Sequence, residues 1–547
     1  MKDTLLKLVD EYFDYTARRF PVMCASDEFH FMPRAQAASL YYDRLDDLSP
    51  DGIEESRFQL KEFQKRCDIV SRHEKDLESV IDLEMLKANI AGILIEFETK
   101  ASWRYNPLLY LKIAFIGLDH ALTKPASGKE ERMERTSARL NAMPKLFSQA
   151  GENIDTIPEG YMQASLAMIG DCKAYIEQIG RWLSGEKTGS GLVTDLGKIL
   201  FPLISLEKRL HGLAPIPNNQ FQVISTLETT VKDHFLSARD LEEVFQIGRQ
   251  EWRDCLEDLK KVQSEIDPSI DPNRTWQELY HGYNPTEVSD LDTLSLYKEE
   301  ADRLTSFFAQ RGLGSPDSGR RLKVVETPLY LSSVRGSASF SAAFSADCSE
   351  EDLFYITTSD QGKDLEAGRD LRKRLHREYK FLAAHETVPG HHLLDSVRRS
   401  LKNPVRRQIE SPLFYEGWAY YTESLLGEYG YVKNPIERLV DLKRRLWRAA
   451  RCQIDVGLNT GRLAKGNAIE LLATAGFSRK EAEGQVERFR LNPGYQLCYT
   501  LGRYEIVRLR RQYTNRMTLD QFHRRLLEGG ELPFHLIERR LEKEKKN

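Results

Sequence analysis

Apolar residues three and four positions apart recur through most of the first 310 residues. Clear examples lie at residues 5–13 and 83–97, where each run defines one hydrophobic face. This spacing is typical of helices that bury one side against a core. Ser478, followed three residues later by Glu481, predicts a helix start through a capping box. The helical pattern also predicts elements over 371–384, 412–426, 435–456 and 465–475.

Residues 327–358 follow a different pattern, in which small and apolar positions alternate. The segments 327–331, 337–344 and 353–358 are rich in residues that favour strands. They follow a glycine-rich stretch at 312–319 and come shortly before the next helix. We therefore predict a mainly α fold with a small antiparallel sheet just upstream of that helix.

The length of 547 residues exceeds that of a typical domain, so two lobes are expected. Residues 1–320 are predicted to form a helical lobe that provides one wall of a cleft. Residues 321–547 are predicted to form the catalytic lobe, with the small sheet, several helices and the residues described below. A hydrophobic content of 41% is enough for a full core.

Charge and cysteine usage narrow the class of protein. The 79 basic and 83 acidic residues give a net charge of -4, which argues against general nucleic-acid binding. The seven cysteines are scattered and odd in number, a pattern typical of reduced thiols in a cytoplasm. The N-terminus predicts an amphipathic helix rather than a signal peptide, and no apolar run is long enough to span a membrane. We expect a cytoplasmic protein without a membrane or nucleic-acid partner; its oligomeric state stays open.

The densest group of metal-binding residue types lies at residues 385–392, which read His-Glu-Thr-Val-Pro-Gly-His-His. Zinc peptidases commonly carry His-Glu-x-x-His on one helix, because residues four apart face the same way. Here Pro389 stands where the second histidine would be. A histidine-rich helix end without a metal is the plainer interpretation. Three of only twelve histidines beside a glutamate favour a metal site.

Pro389 and Gly390 must distort the helix, because proline cannot donate a backbone hydrogen bond and glycine permits unusual backbone angles. If a kink or bulge absorbs two residues, His391 reaches the position of the second ligand. The alternative is His392, which lies seven residues from His385 and roughly 10 Å along an unbroken helix. We favour His391, but spacing alone leaves both open.

Glu416 lies 25 residues after His391, near the start of the helix predicted over 412–426. A glutamate there can complete a zinc site of two imidazoles and one carboxylate. Glu423 lies on the same face seven residues later and can support a ligand histidine. The alternative for Glu423 is an exposed surface carboxylate.

Three stretches together resemble one family. Residues 385–391, 416–419 and 490–502 are similar to the bacterial domain-of-unknown-function 885 family, which is placed among gluzincin-like metallopeptidases. The resemblance extends over nearly the whole chain, including Trp103–Pro107. It implies a large multi-helical gluzincin-like fold and zinc as cofactor.

The resemblance also implies roles for individual residues. His385, His391 and Glu416 would be the zinc ligands, and Glu386 the general base. The family's Pro-Gly-Gln-x-x-x-Tyr stretch, which lines its cleft, appears here at 493–499 with the glutamine displaced by one position. Tyr499 keeps its place, but position 459 is asparagine where relatives tend to have histidine.

These roles predict a metal-assisted hydrolysis of a small peptide or amide. Glu386 would take the proton of the attacking water and pass it to the leaving amine. A tyrosine hydroxyl would stabilise the oxyanion; Tyr499 is the first candidate and Tyr495 the second. Arg490 or Arg503 could bind a substrate carboxylate. Glu423 and His392 are expected to contact the ligand side chains and hold them in position without binding the metal themselves.

Two other functions remain compatible with the sequence. The same residues could cleave a non-peptide amide in a biosynthetic pathway, which assays on small acylated amines would reveal. Alternatively, the chain could be a helical binding scaffold whose site has lost activity. The presence of His385, Glu386, His391 and Glu416 together argues against the scaffold.

Overall fold

The computed structural model describes residues 2–184, 190–218, 220–221, 224–266, 275–288, 290–314, 320–343, 345, 349–358 and 365–544. Their fold is mainly α-helical, as the sequence predicts. The helices are α1 (Lys2–Arg19), α2 (Pro50–Ser71), α3 (Leu77–Leu94), α4 (Pro107–Thr123), α5 (Lys129–Asn153), α6 (Glu159–Ser184), α7 (Ser190–Gly212), α8 (Ile224–Thr229), α9 (Leu241–Ile266), α10 (Trp276–Gly282), α11 (Thr293–Ala309), α12 (Leu365–Glu386), α13 (His391–Ser400), α14 (Pro404–Gln408), α15 (Pro412–Glu428), α16 (Pro435–Asn459), α17 (Lys465–Thr474), α18 (Arg479–Arg490), α19 (Leu497–Tyr513), α20 (Leu519–Glu528) and α21 (Phe534–Glu544). The strands are β1 (Ile157–Pro158), β2 (Pro215–Ile216), β3 (Leu322–Glu326), β4 (Ala338–Ser341) and β5 (Asp352–Ile356).

The sheet upstream of α12 is mixed, which corrects the prediction of an antiparallel sheet. Its strand order is β3-β5-β4, with β4 antiparallel and β3 parallel to the central strand β5. The chain leaves β3, turns through Leu329–Leu331 and returns as β4 on the far side of β5. The strand expected at 327–331 is therefore this turn. Pro328, which lacks a backbone donor, follows the true strand closely.

Helices near the site begin where capping chemistry places them. Ser411 and Asn434 are the N-caps of α15 and α16, and each side chain accepts a backbone N–H of the first turn. Proline at the first helical position follows both caps, where its missing donor does no harm. The capping box expected at Ser478 is present at the start of α18.

The division into lobes at residue 320 stays a prediction, and residues 315–319 lie outside the described part of the chain. Apolar core residues come from both sides of it. Helix α9 packs along α16, and α15 packs along α19. Cys452 of α16 reaches the Val244 carbonyl of α9 at 3.6 Å. Among the described helices, none combines the length and the apolar character that crossing a membrane requires.

Candidate metal centre

The helix that carries His385 ends at the next residue. Helix α12 stops at Glu386 and α13 begins at His391, with a cis Val388–Pro389 peptide bond in the four residues between. The sequence predicts a kink or bulge; the helix instead ends and a new one starts. Proline supplies no N–H to continue the helical ladder, which accounts for the break.

Gly390 allows the new helix to start against the end of the old one. A Cβ atom at this residue would lie 2.0 Å from the His385 carbonyl oxygen and 2.5 Å from that of Ala384. Its own N–H donates to the Ala384 carbonyl at 3.0 Å. Only glycine fits this close approach, and it brings the His391 ring to 4.7 Å from the His385 ring, centroid to centroid.

His385, His391 and Glu416 converge on one point. The Glu416 Oε2 atom lies 3.4 Å from His385 Nε2 and 3.6 Å from His391 Nε2. One potential ligand atom from each residue lies within 4.8 Å of the others, and all three side chains are buried. Donors bound tetrahedrally to zinc at about 2.0–2.2 Å lie about 3.3–3.6 Å apart. The spacing to Glu416 therefore fits a shared zinc ion.

The carboxylate of Glu416 is held in a form that can bind a cation. Burial alone would raise the pKa of Glu416, but the two imidazoles lower it well below its usual range. Its buried Oε2 atom has no hydrogen-bond donor among the described residues. Buried polar atoms without partners are rare, and a metal ion would satisfy this one. The donor set of two imidazoles and a carboxylate is one that zinc prefers.

His392 points elsewhere. Its Nε2 atom lies 3.2 Å from Asp352 Oδ2 at the start of β5, and its ring lies against Phe340 of β4. Asp352 also accepts two hydrogen bonds from Arg399. The structure thus brings His391, and not His392, to His385. His392 links α13 to the sheet and contacts none of the three candidate ligands.

Glu423 contacts the far side of His385. Its Oε1 atom lies 2.9 Å from His385 Nδ1, and the side chain is 1% exposed, which excludes a surface carboxylate. Burial raises the pKa of Glu423, but Arg444 and Arg448 lower it well below its usual value. An ionised acceptor at Nδ1 fixes the tautomer that directs Nε2 toward Glu416.

Two tyrosines from the start of α19 and the preceding turn reach the same site. Tyr495 donates its hydroxyl hydrogen to Glu416 Oε1, and its ring stacks on His30 at 4.4 Å. Tyr499 stacks on the His385 ring at 6.1 Å. Burial, followed by the charge of Glu416, raises the pKa of both tyrosines. Both hydroxyls therefore stay protonated at neutral pH and can donate.

Glu386 is the last residue of α12 and follows His385 directly. Its side chain is buried, and no described residue holds its carboxylate by a hydrogen bond or an ion pair. A carboxylate without a fixed partner can exchange a proton with water or substrate.

The two arginines proposed from the sequence as carboxylate binders contact other groups. Arg490 donates to the Asn218 carbonyl at 3.3 Å. Arg503 donates to Glu251 at 3.3 Å, and its guanidinium lies over the Tyr420 ring. Neither side chain is brought against the histidine pair by these contacts.

Tyr415 is a residue near the site that the sequence reasoning missed. Its ring stacks on His391 at 4.0 Å, and its hydroxyl donates to Asp395 at 3.0 Å. The stacking holds the His391 imidazole in place. Its position directly before Glu416 was the available signal, but a neighbour in sequence does not reveal which ring it contacts.

A close helix crossing positions Glu416 beside Tyr499. Gly417 of α15 faces Gly502 of α19, and a Cβ on either residue would lie 2.6 Å from the other's Cα atom. Two glycines are required because any side chain would separate the helices. Glu416 and Tyr499 flank this crossing, so the glycine contact sets their separation.

Comparison with known proteins connects the fold to one family. Residues 225–541, more than half of the chain, match the family described as bacterial protein of unknown function, DUF885. This stretch contains both histidines, Glu386 and Glu416. No curated protein matches the chain significantly.

Two solved structures are similar over almost the whole length. A "putative lipoprotein of unknown function" from Shewanella oneidensis shares 17% identity with a TM-score of 0.74, covering 98% of this chain and 99% of that one. A "putative lipoprotein" from Colwellia psychrerythraea shares 18% identity with a TM-score of 0.78, covering 98% of both chains. At such identities the likeness shows the fold alone. Through the family match, the chain belongs to the DUF885 family of bacterial proteins of unknown function.

Proposed function

We propose that this protein is a zinc-dependent hydrolase that cleaves peptide or amide bonds, with small peptides as its substrates. The observation that carries the proposal is the convergence of two imidazoles and one buried carboxylate at the separations of a shared zinc ion. His385, His391 and Glu416 would hold the metal. The likeness to gluzincin-like metallopeptidases is part of the same proposal.

A bound zinc ion would supply a Lewis acid that lowers the pKa of water and polarises the scissile carbonyl. Glu386 would take the proton of the attacking water and return it to the leaving amine. Its free carboxylate and its position next to His385 support this role. Glu423 would hold the His385 ring in the tautomer that presents Nε2.

The two tyrosines would have different roles, one in orienting Glu416 and one in stabilising the oxyanion. Tyr495 already donates to Glu416 and would keep that carboxylate oriented. Tyr499, stacked on His385, would donate to the oxyanion that develops on the substrate carbonyl. Removal of one oxyanion-stabilising donor lowers kcat by about 10²–10³-fold where it has been measured in a serine protease.

Metal content and turnover test the proposal. Protein purified without chelator should contain close to one zinc per chain by elemental analysis. Glu386→Gln should keep the metal and lose about 10²–10⁴-fold in the turnover of a peptide library. Normal turnover by this variant would show that the base is wrong, and metal-free protein would favour a binding scaffold.

A matched pair of variants tests which histidine is the second zinc ligand. His391→Ala should lose zinc, whereas His392→Ala should retain it, because His392 contacts Asp352 instead. The reverse result would exchange the two ligands. Cleavage of small acylated amines but not of peptides would assign the enzyme to non-peptide amides.

A cytoplasmic location is also a proposal. The six described cysteines that the structure records are free and buried, which suits a reducing compartment. The two similar structures are described as putative lipoproteins, so the alternative to a cytoplasmic location is a membrane-anchored protein. Cell fractionation with detection by an antibody would distinguish the two locations. Recovery of the protein in the membrane fraction would contradict the cytoplasmic assignment.

A further inference from the structure

Arg451 is a buried cation beside the candidate metal centre. It lies on α16, with 8% of its surface exposed. Its Nε donates to Gln496 at 2.8 Å, and its guanidinium lies 3.9 Å from the centroid of the Tyr499 ring. The Trp447 ring is the next aromatic contact, at 4.8 Å. No carboxylate of the described chain forms an ion pair with it.

The other buried cations of this helix have carboxylate partners. Lys443 pairs with Glu378 at 2.9 Å, Arg444 pairs with both Glu378 and Glu423, and Arg448 pairs with Glu423. A buried charge without a counter-charge is costly, and proteins usually provide one. Arg451 forms no such ion pair; the buried Asp455, four residues later in the same helix, acts on it electrostatically without pairing. A buried guanidinium without an ion-pair partner is suited to bind an anionic group of a ligand.

The surface next to Arg451 is also cationic. Arg488 is exposed, yet its pKa is lowered, first by desolvation and then by Arg374 and Arg451. Arg374 has a partner, Glu481, at 3.4 Å. Arg451 and Arg488 are therefore two neighbouring cations that have no ion-pair partner among the described residues.

Arg451 is close enough to the metal centre to act on the same substrate. Its guanidinium lies on Tyr499, and the Tyr499 ring stacks on His385, in two steps of 3.9 and 6.1 Å. Extended residues advance by roughly 3.4 Å each, so about three residues cover this span. A carboxylate on Arg451 would thus belong to the same short segment as the bond that is cleaved.

We infer that Arg451 binds the C-terminal carboxylate of the substrate, so that the enzyme acts on peptides or acylated amino acids near a free C-terminus. This inference rests on the proposed hydrolase function and deepens it. Arg451 replaces Arg490 and Arg503 in the role suggested by the sequence. The guanidinium offers two parallel N–H donors to one carboxylate, a geometry that lysine and neutral side chains cannot match.

Binding to metal-free protein tests Arg451 separately from catalysis. The probes are two pools of acetylated tetrapeptides of random sequence without Asp or Glu, one with free C-termini and one amidated. Affinity selection with mass spectrometry should show at least a tenfold preference of the wild type for the free acids. Arg451→Gln should lose the preference, and Arg451→Lys should keep only part of it.

Arg438→Gln is the matched control, since Arg438 lies on the same helix but pairs with Glu265 at the surface. It should bind both pools as the wild type does. Equal binding of the two pools by the wild type, no binding of either, or an unchanged preference in Arg451→Gln would overturn the inference.

Turnover by zinc-loaded wild type keeps the two proposals distinguishable. Cleavage of both pools at equal rates would refute the role of Arg451 and leave the hydrolase intact. A retained preference for free acids in binding, with no cleavage of either pool, would refute the hydrolase and leave a carboxylate-binding site.

Discussion

Glu423→Gln is the substitution that tests most directly how the candidate metal centre is supported. The Glu423 carboxylate lies 2.9 Å from His385 Nδ1 and 2.8 Å from Arg444 Nε, and it also pairs with Arg448. Glutamine keeps the size of the side chain but removes its charge. The imidazole would then lose an ionised acceptor, and Arg448 would lose the carboxylate that neutralises it.

The expected magnitude follows from these contacts. Loss of a carboxylate behind a ligand histidine typically weakens metal binding about 10–100-fold, equivalent to about 1.4–2.7 kcal/mol. Removal of one partner from a buried ion pair costs about 3–5 kcal/mol of folding stability. We expect both effects in Glu423→Gln, measured as zinc affinity by competition with a chelator and as the free energy of unfolding.

Glu378→Gln separates the two effects. Glu378 is also buried and pairs with Lys443 and Arg444, but it does not contact His385. This variant should lose a comparable amount of stability while it binds zinc as tightly as the wild type. If Glu423→Gln also kept the wild-type zinc affinity, or if both variants lost it equally, the proposed support of His385 would be refuted.

Three other perturbations act through buried contacts. Gly502→Ala should lower the free energy of unfolding by about 1–3 kcal/mol or more, because its Cβ would lie 2.1 Å from the Leu413 carbonyl oxygen. Gly427→Ala, in α15 with nothing within 4 Å of its Cβ, should instead gain up to about 1 kcal/mol, and equal effects would contradict the close crossing. Burial lowers the pKa of His523 from 6.5 to about 3, so the folded state binds fewer protons and stability should fall by about 1.4 kcal/mol per unit as pH drops through that range. His523→Gln should lack this slope in denaturant titrations between pH 6.5 and 4, and an unchanged slope would exclude His523 as its source. Chelation of zinc should lower the melting temperature, because free zinc at a hundredfold excess over its Kd contributes about 2.7 kcal/mol; an identical melting temperature would argue against a metal bound only by the folded chain.

Helices were predictable from the sequence because their signals are local. The predicted helix over 435–456 became α16, which starts at the same residue because Asn434 and Pro435 mark the start locally, and which continues three residues further, to Asn459. The sheet was less predictable because pairing joins distant segments. The sequences of residues 322–326 and 352–356 do not indicate that these strands pair in parallel. The turn after Pro328 has the composition of a strand.

The candidate site shows the same division between local and distant information. Pro389 and Gly390 predict a distortion because their backbone chemistry acts within a few residues, and the distortion determines which histidine meets His385. The residues that tune the site are joined only by the fold: Glu423 reaches His385 across 38 positions, and Arg451 reaches Tyr499 across 48. A buried arginine is recognised as a ligand-binding group only when its neighbours' partners are known. Arg444 and Arg448 pair with glutamates and Arg451 does not, a difference between three residues of one helix that only the folded chain reveals.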